Sequence, residues 1–321
     1  MASKQVHLPV MANEVVQYLR PKPEMVFCDG TVGAGGHATA LLEAVEKTNT
    51  VAWIIGIDRD REMLSVARQK LHDFQLRGHR IDLVHGSYAE IPEILHRLGV
   101  TFDVMDSILL DLGISSLHLD KATRGFSFSH EGPLDMRIDQ TEEKTARDFL
   151  ENIGEKEFIN YLRESGEDRY ASTIARKIKQ KIKEPGIENT KDLAQVVARA
   201  IPAKDHPRNI HVATKTFQAI RLGVNEELKH LNQFLDRVPT LLRRGSRLGI
   251  ISFHSSEDRM VKNSFRTYEK PCTCPPNLPI CTCGKEPVLH AVQHKPILPS
   301  EAEISRNPRA RSARFRVAER V

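Results

Sequence analysis

Disulfide staples, membrane spans and phosphate-gripping motifs are all missing from this sequence. Five cysteines among 321 residues are too few to scaffold a fold of this size. No uncharged apolar run approaches the roughly 18 residues of a membrane span. The run at 51–57 (VAWIIGI) is far shorter. Residues 1–14 hold neither the apolar core of a secretion signal nor the Arg/Ser-rich character of a transit peptide. The expectation is a cytoplasmic protein with no membrane contact. Internal repeats and low-complexity tracts are absent. A composition of 40% hydrophobic and 28% charged residues excludes disorder, collagen and coiled coil. No G-x-x-x-x-G-K-[ST] is present, which removes a P-loop.

What the sequence does hold begins with its size. A chain of 321 residues suggests two domains, or one large domain carrying an insertion. Net charge is +5, and its placement matters more than its size. Residues 306–321 carry six arginines against Glu319 alone. Residues 169–183 carry Arg169, Arg176, Lys177, Lys179, Lys181 and Lys183 with no acid among them. Such clusters suit a polyanion partner. Charge alone leaves solvated helix faces and a charged tail equally open.

From residue 25 to 113, apolar runs alternate with amphipathic segments. Strands are expected at 25–29, 51–58, 81–85 and 105–111, with helices at 39–46, 61–74 and 91–98. That alternation implies βαβ units and a parallel sheet. From 123 to 211 the strand-like runs vanish. Segments such as 167–182, where Tyr170, Ile174, Ile178 and Ile182 recur every four residues, read as helices. So does 190–200. A long helix is expected at 217–238, a strand at 247–253, a helix at 260–268 and a last strand at 313–318. The division that follows is an α/β core of 1–118 and 216–321, with an inserted helical domain at 119–215.

The first strand runs into Asp29-Gly-Thr-Val-Gly-Ala-Gly-Gly-His37, which then opens a helix. Glycines let backbone approach a ligand and adopt positive φ, and the helix N-terminus adds positive dipole character. The spacing is G-x-x-G-x-G-G, not the G-x-G-x-x-G dinucleotide fingerprint. A nucleotide-dependent dehydrogenase is therefore a weaker alternative. Asp58 ends the next strand, where a carboxylate can accept both hydroxyls of a ribose. Asp111 ends a later strand at the same sheet edge. A tight turn with two surface acids is the plainer reading. Without a phosphate-binding lysine, the arrangement suits S-adenosylmethionine, whose charge sits on a sulfonium.

Longer blocks agree. They are His7-Leu-Pro-Val-Met, 29–37, Asp111-Leu-Gly-Ile-Ser-Ser, Arg124-Gly-Phe-Ser-Phe-Ser, Gly132-Pro-Leu-Asp-Met-Arg-Ile-Asp, Ala213-Thr-Lys-Thr-Phe-Gln-Ala-Ile-Arg, Ser252-Phe-His-Ser-Ser-Glu-Asp-Arg and Asn307-Pro-Arg-Ala-Arg-Ser. From His7 to Arg320 the chain resembles the ribosomal RNA small-subunit methyltransferase H family. The resemblance implies a class I S-adenosylmethionine-dependent methyltransferase core, Rossmann-like, with a helical insertion. It implies methylation of the exocyclic N4 of a cytidine in the decoding centre of 16S ribosomal RNA, within the small ribosomal subunit. Carried over by position, cofactor contacts fall on Gly35, Gly36, His37, Asp58, Tyr88, Asp111 and His118. Tyr88 stands where the family usually has Phe, Leu117-His118 where it has Pro-Gln, and Ser256 where it has Leu. A non-catalytic assembly factor that uses the fold to bind ribosomal RNA is the alternative of a different class. The oligomeric state stays open, a homodimer included.

The cytosine N4 lone pair is delocalised into the ring, so methylation needs close positioning and an acceptor for the departing N–H proton. The Asp/Ser-Pro-Pro-Tyr box of many amino-methyltransferases is absent, and Asp-Leu-Gly-Ile stands at that strand end. Asp111 is the first candidate acceptor, with Ser115, Ser116 and His254 behind it. Arg124, Phe126 and Phe128 could stack an unpaired base, or the two rings could be core. Lys215, Arg221, Arg309 and Arg311 are further RNA-contact candidates. No metal is assigned. Cys272-Thr-Cys274 and Cys281-Thr-Cys283 leave open a zinc site or a reduced cluster in a proline-rich loop. Cys28 reads as a small core residue.

Overall fold

The computed structural model describes residues 9–100, 105–167, 169–183, 186–275 and 282–321. Two compact units divide the chain. One comprises 1–113 with 230–321, the other 114–229.

The first unit is built on seven strands: β1 (Val26–Asp29), β2 (Trp53–Asp58), β3 (Arg80–His85), β4 (Met105–Asp111), β5 (Leu242–Ser252), β6 (Leu289–Ala291) and β7 (Arg314–Arg320). They lie in the order β3-β2-β1-β4-β5-β7-β6. The pairs from β3 to β5 are parallel, whereas β7 runs antiparallel to both β5 and β6. This is the class I methyltransferase sheet. The helices in chain order are α1 (Ala12–Leu19), α2 (Gly36–Glu46), α3 (Arg61–Leu76), α4 (Ile91–Arg97), α5 (Ser116–Asp120), α6 (Ala146–Asn152), α7 (Glu155–Glu164), α8 (Ala171–Lys181), α9 (Thr190–Ala200), α10 (Thr214–Val224), α11 (Glu227–Arg237), α12 (Ser255–Glu269) and α13 (Glu301–Arg306).

Strand side chains alternate between the two faces of a sheet, and the strand cores divide accordingly. Phe27, Ile54, Leu109 and Ile251 pack with Val15 of α1, Leu41 of α2 and Leu71 of α3. Cys28, Ile55, Ile108, Leu110 and Ile250 pack with Ile94 of α4, Phe234 of α11 and Val261 of α12. Both faces are covered, which explains why the strands read as unbroken apolar runs. Cys28 is fully buried, and burial pushes its thiol far above the ordinary range.

The second unit is helical, as its sequence pattern requires. Its core joins Phe149, Phe158, Ile174, Ile178, Val197, Phe217 and Ile220. The boundary expected at 118 falls at 113, because Ile114 and Leu119 pack on this helical core. The boundary expected at 216 falls at 229, because Phe217, Ile220 and Val224 belong to the same core.

The helix expected at 217–238 is two helices. Glu226 has φ 48° and breaks the backbone between α10 and α11. Asn225, fully buried beside the break, clamps a neighbouring loop. Its Oδ1 accepts from the Ile138 N–H at 2.8 Å, and its Nδ2 donates to the Met136 carbonyl at 2.8 Å. Apolar periodicity runs through this site unchanged, so the sequence pattern hides the break. Asn225→Ala leaves both backbone groups buried without their partner. It should lower stability by about 3 kcal/mol, read from chemical denaturation.

Candidate active site

Strand register brings three acids to one edge of the sheet. Asp29, the last residue of β1, is level with Gly56 on β2 and Leu109 on β4. Asp58 and Asp111 therefore stand two residues beyond it, at the carboxyl ends of the flanking strands. Ligands of open parallel sheets bind at this edge.

The glycine turn is fixed by these acids. The Gly33 N–H donates to Asp58 Oδ2 at 2.8 Å, and the Asp60 N–H donates to Asp58 Oδ1 at 2.8 Å. Asp60 in turn caps α3 by accepting from the Glu62 N–H at 2.7 Å. Gly33 and Gly35 have φ of 50° and 78°, which L side chains rarely adopt. Gly30 permits a close crossing, since a Cβ there would stand 3.0 Å from the Tyr88 Cβ and 2.4 Å from Leu110 Cδ2. The Tyr88 ring packs edge-on against Phe234, centroids 5.9 Å apart. Gly36 and His37 start α2, whose first N–H groups have no partner inside the helix.

Thr31 ties the turn to β4. Its hydroxyl accepts from the Asp111 N–H at 2.7 Å, and its own N–H donates to Asp29 Oδ1 at 3.2 Å. His37 donates through Nε2 to the Val10 carbonyl at 2.8 Å. Its Nδ1 then faces Asp111 Oδ2 at 3.9 Å. Asp29 Oδ2 and Asp111 Oδ1 are buried and lack a hydrogen-bond partner among the described residues.

Acids dominate this edge. Glu257 caps α12 by accepting from the Phe253 N–H at 3.0 Å, and His254 Nε2 lies 2.8 Å from its Oε1. Glu303 of α13 accepts from the Met11 N–H. Burial, then repulsion from Asp29, Glu257 and Glu303, pushes Asp111 well above the usual carboxylate range. Burial raises Asp29 to about 7; the Thr31 N–H opposes this and Asp58 adds to it. Glu303 is raised as well, first by burial. Sequence reasoning passed over Thr31, Glu257 and Glu303. Glu257 carried a signal, standing three residues after His254 at a helix start. Glu303 carried none, because its position depends on the return of the chain from β6.

Orphaned carboxylate oxygens beside a helix N-terminus fit S-adenosylmethionine. A sulfonium answers the acids, a ribose suits Asp58, and Tyr88 offers a flat ring for adenine. The other candidates lie in the helical unit. The Ser115 N–H donates to His118 Nδ1 at 3.2 Å, and the buried His118 ring lies 5.2 Å from the Phe126 ring. Ser116 is the first residue of α5.

Several expected RNA contacts have partners within the helical unit. Arg124 is 3% exposed and donates to the carbonyls of Arg137 and Ile138, at 3.0 and 2.9 Å. Phe126 is core, and Phe128 packs on Phe217 and His211. Arg221 makes a two-pronged, mostly buried pair with Glu227, at 2.8 and 3.0 Å. Lys215 donates to the Gly166 carbonyl. Within the basic run, Lys177 and Lys179 cap helix C-termini, bonding the carbonyls of Arg199, Leu150 and Glu151. Arg309 and Arg311 are exposed.

The raised carboxyl of Asp29 sets a pH dependence. A group with a folded value of about 7 and an unfolded value of about 3.9 binds its proton more tightly when folded. Its contribution is complete below about pH 4 and is lost as pH rises toward 7. In ligand-free protein, Asp29→Asn should therefore melt above wild type at pH 8. The gap should narrow on acidification and vanish near pH 4, as followed by thermal denaturation across a pH series.

Residues 4–321 match the MraW methylase family. A protein of Anaeromyxobacter sp. (strain K) named Ribosomal RNA small subunit methyltransferase H is 45% identical over 315 residues, covering 98% of each chain. A protein of the same name from Anaeromyxobacter sp. (strain Fw109-5) is 44% identical over 321 residues, the full length of both. A third, from Geotalea uraniireducens, is 43% identical over 98% of each chain. No helix among the described residues is long and apolar enough to cross a membrane. Sheet order, the acid-fixed glycine turn and whole-length identity agree, and the chain belongs to the MraW methylase family.

Proposed function

We propose that this protein methylates the exocyclic N4 of a cytidine in the decoding centre of 16S ribosomal RNA, acting on the small ribosomal subunit in the cytoplasm. The observation that carries the reading is the unpaired, buried Oδ1 of Asp111 at the end of β4, in a chain whose relatives are named for small-subunit RNA methylation. S-adenosylmethionine supplies an electrophilic methyl group on a sulfonium. Asp58 would hold the ribose, Tyr88 would flank the adenine, and the α2 N-terminus would meet the carboxylate of the cofactor's methionine end.

Asp111 accepts hydrogen from the N4 amine as nitrogen gains positive character. The group suits that task because its surroundings make it a stronger base than an ordinary carboxylate. A cation at this edge offsets the repulsion among the acids and draws Asp111 into its ionised form. Its side chain keeps 23% exposure, so a ligand can reach it. His37, fixed through Val10, faces the same carboxylate and orients it. His254 has a helix-capping place beside Glu257 and stands second to Asp111. Ser115, Ser116 and His118 follow β4 in sequence and stand behind Asp111 as candidates.

Labelled S-adenosylmethionine and small subunits lacking the modification test the reading. Wild type should yield N4-methylcytidine, identified by nucleoside mass. Asp111→Asn should retain its fold and lose at least about a hundredfold in methyl transfer. Normal turnover by that variant removes Asp111 from the mechanism. Product methylated at another atom, or in another RNA, overturns the substrate assignment.

Arg309 and Arg311, both exposed, form part of an RNA-binding surface. Binding should weaken steeply with salt. The Arg309→Ala, Arg311→Ala double variant should lower the slope of log Kd against log salt by about two. A slope equal to that of wild type places these arginines outside the interface.

A further inference from the structure

We propose that Cys272, Cys274 and Cys283 form a thiolate site for a zinc-like divalent cation, which fastens the loop between α12 and β6. Their sulfurs lie within 4.8 Å of one another, although they come from opposite ends of the loop. Zinc holds each thiolate at about 2.3 Å, so a tetrahedral ion sets neighbouring sulfurs about 3.8 Å apart. Closing the set takes a shift of about one ångström. The sequence repeats itself here: Cys272-Thr-Cys274 is matched by Cys281-Thr-Cys283. Cys281, the remaining sulfur of the motif, lies outside the described residues. The Thr282 hydroxyl is 3.8 Å from Cys274 Sγ, a contact that suits a thiolate bound to metal.

The loop needs such a fastening. Its ends are joined, the Val288 N–H donating to the Tyr268 carbonyl at 2.9 Å. Yet no described residue from 270 to 287 is buried. Apolar packing therefore does not order its described residues, and a metal cross-link can do so at this size. Gly284, with φ 62°, turns the chain just after Cys283. Cys28 shows the contrast: sealed in the core, its thiol is held protonated. The cluster also stands at the far end of α12 from His254, about 22 Å along a fifteen-residue helix. The ion is structural and touches none of the acids at the carboxyl edge.

Full-length protein purified without chelator should carry about one zinc per chain by elemental analysis. Zinc-free protein titrated with cobalt should develop a sulfur-to-metal charge-transfer band that zinc then displaces. Trypsin should cut after Lys285 several-fold faster once a chelator removes the ion. Cys274→Ser should lower zinc content with the circular dichroism of the rest of the fold unchanged. Wild-type measurements stand alone if that variant misfolds. A folded wild-type chain with no zinc and no cobalt–sulfur band overturns the proposal. So does zinc retained equally by the triple serine variant, or a disulfide among these cysteines that persists when zinc is supplied.

Discussion

Carboxyl groups gathered at one low-dielectric edge of the sheet are the constraint around which this unit is arranged. Asp29 and Asp111 keep buried oxygens that no described residue satisfies, and Glu257 and Glu303 add to the field. Such a cluster is unfavourable in the empty protein, because desolvation and mutual repulsion both oppose its ionised form. The rest of the unit tolerates that cost through a sheet covered on both faces by helices. Thr31 supplies the joint, accepting from the Asp111 amide and donating to Asp29. A positively charged ligand would relieve that repulsion, so that binding and charge relief would be a single event.

The charges of the chain fall into two kinds that composition does not distinguish. Arg124, Arg221, Lys177 and Lys179 saturate carbonyls and a carboxylate within the helical unit. They contribute to the internal order of the insertion. Arg314 and Arg316 do the same in the core, both pairing with Asp258 of α12. Of the six arginines near the end of the chain, Arg309 and Arg311 are the exposed pair between α13 and β7.

Much of this was legible in the sequence, and the limits have physical causes. The strands of the parallel sheet were readable because burial on both faces leaves continuous apolar runs. The turn from Asp29 to His37 and the acid at Asp58 were readable because local backbone geometry demands those residue types. Non-local placement was not readable. Asp111 and Glu303 lie near one another only after the chain returns from β6. The interruption at Asn225 and Glu226 escaped because apolar spacing continues across it. Arg124 looked like an RNA contact because sequence shows a charge and not the carbonyls it serves.

The position of β7 has a consequence for biosynthesis. It lies inside the sheet, between β5 and β6, yet its residues leave the ribosome after those of every other strand. Until then, β5 and β6 present open edges toward a gap the nascent chain cannot fill. Glycine turn, Asp58 and Asp111 can all be in place while the sheet is still in two parts. Closure of the sheet therefore waits for β7, and the interval before it is when the unpaired edges of β5 and β6 are most open to association with other chains.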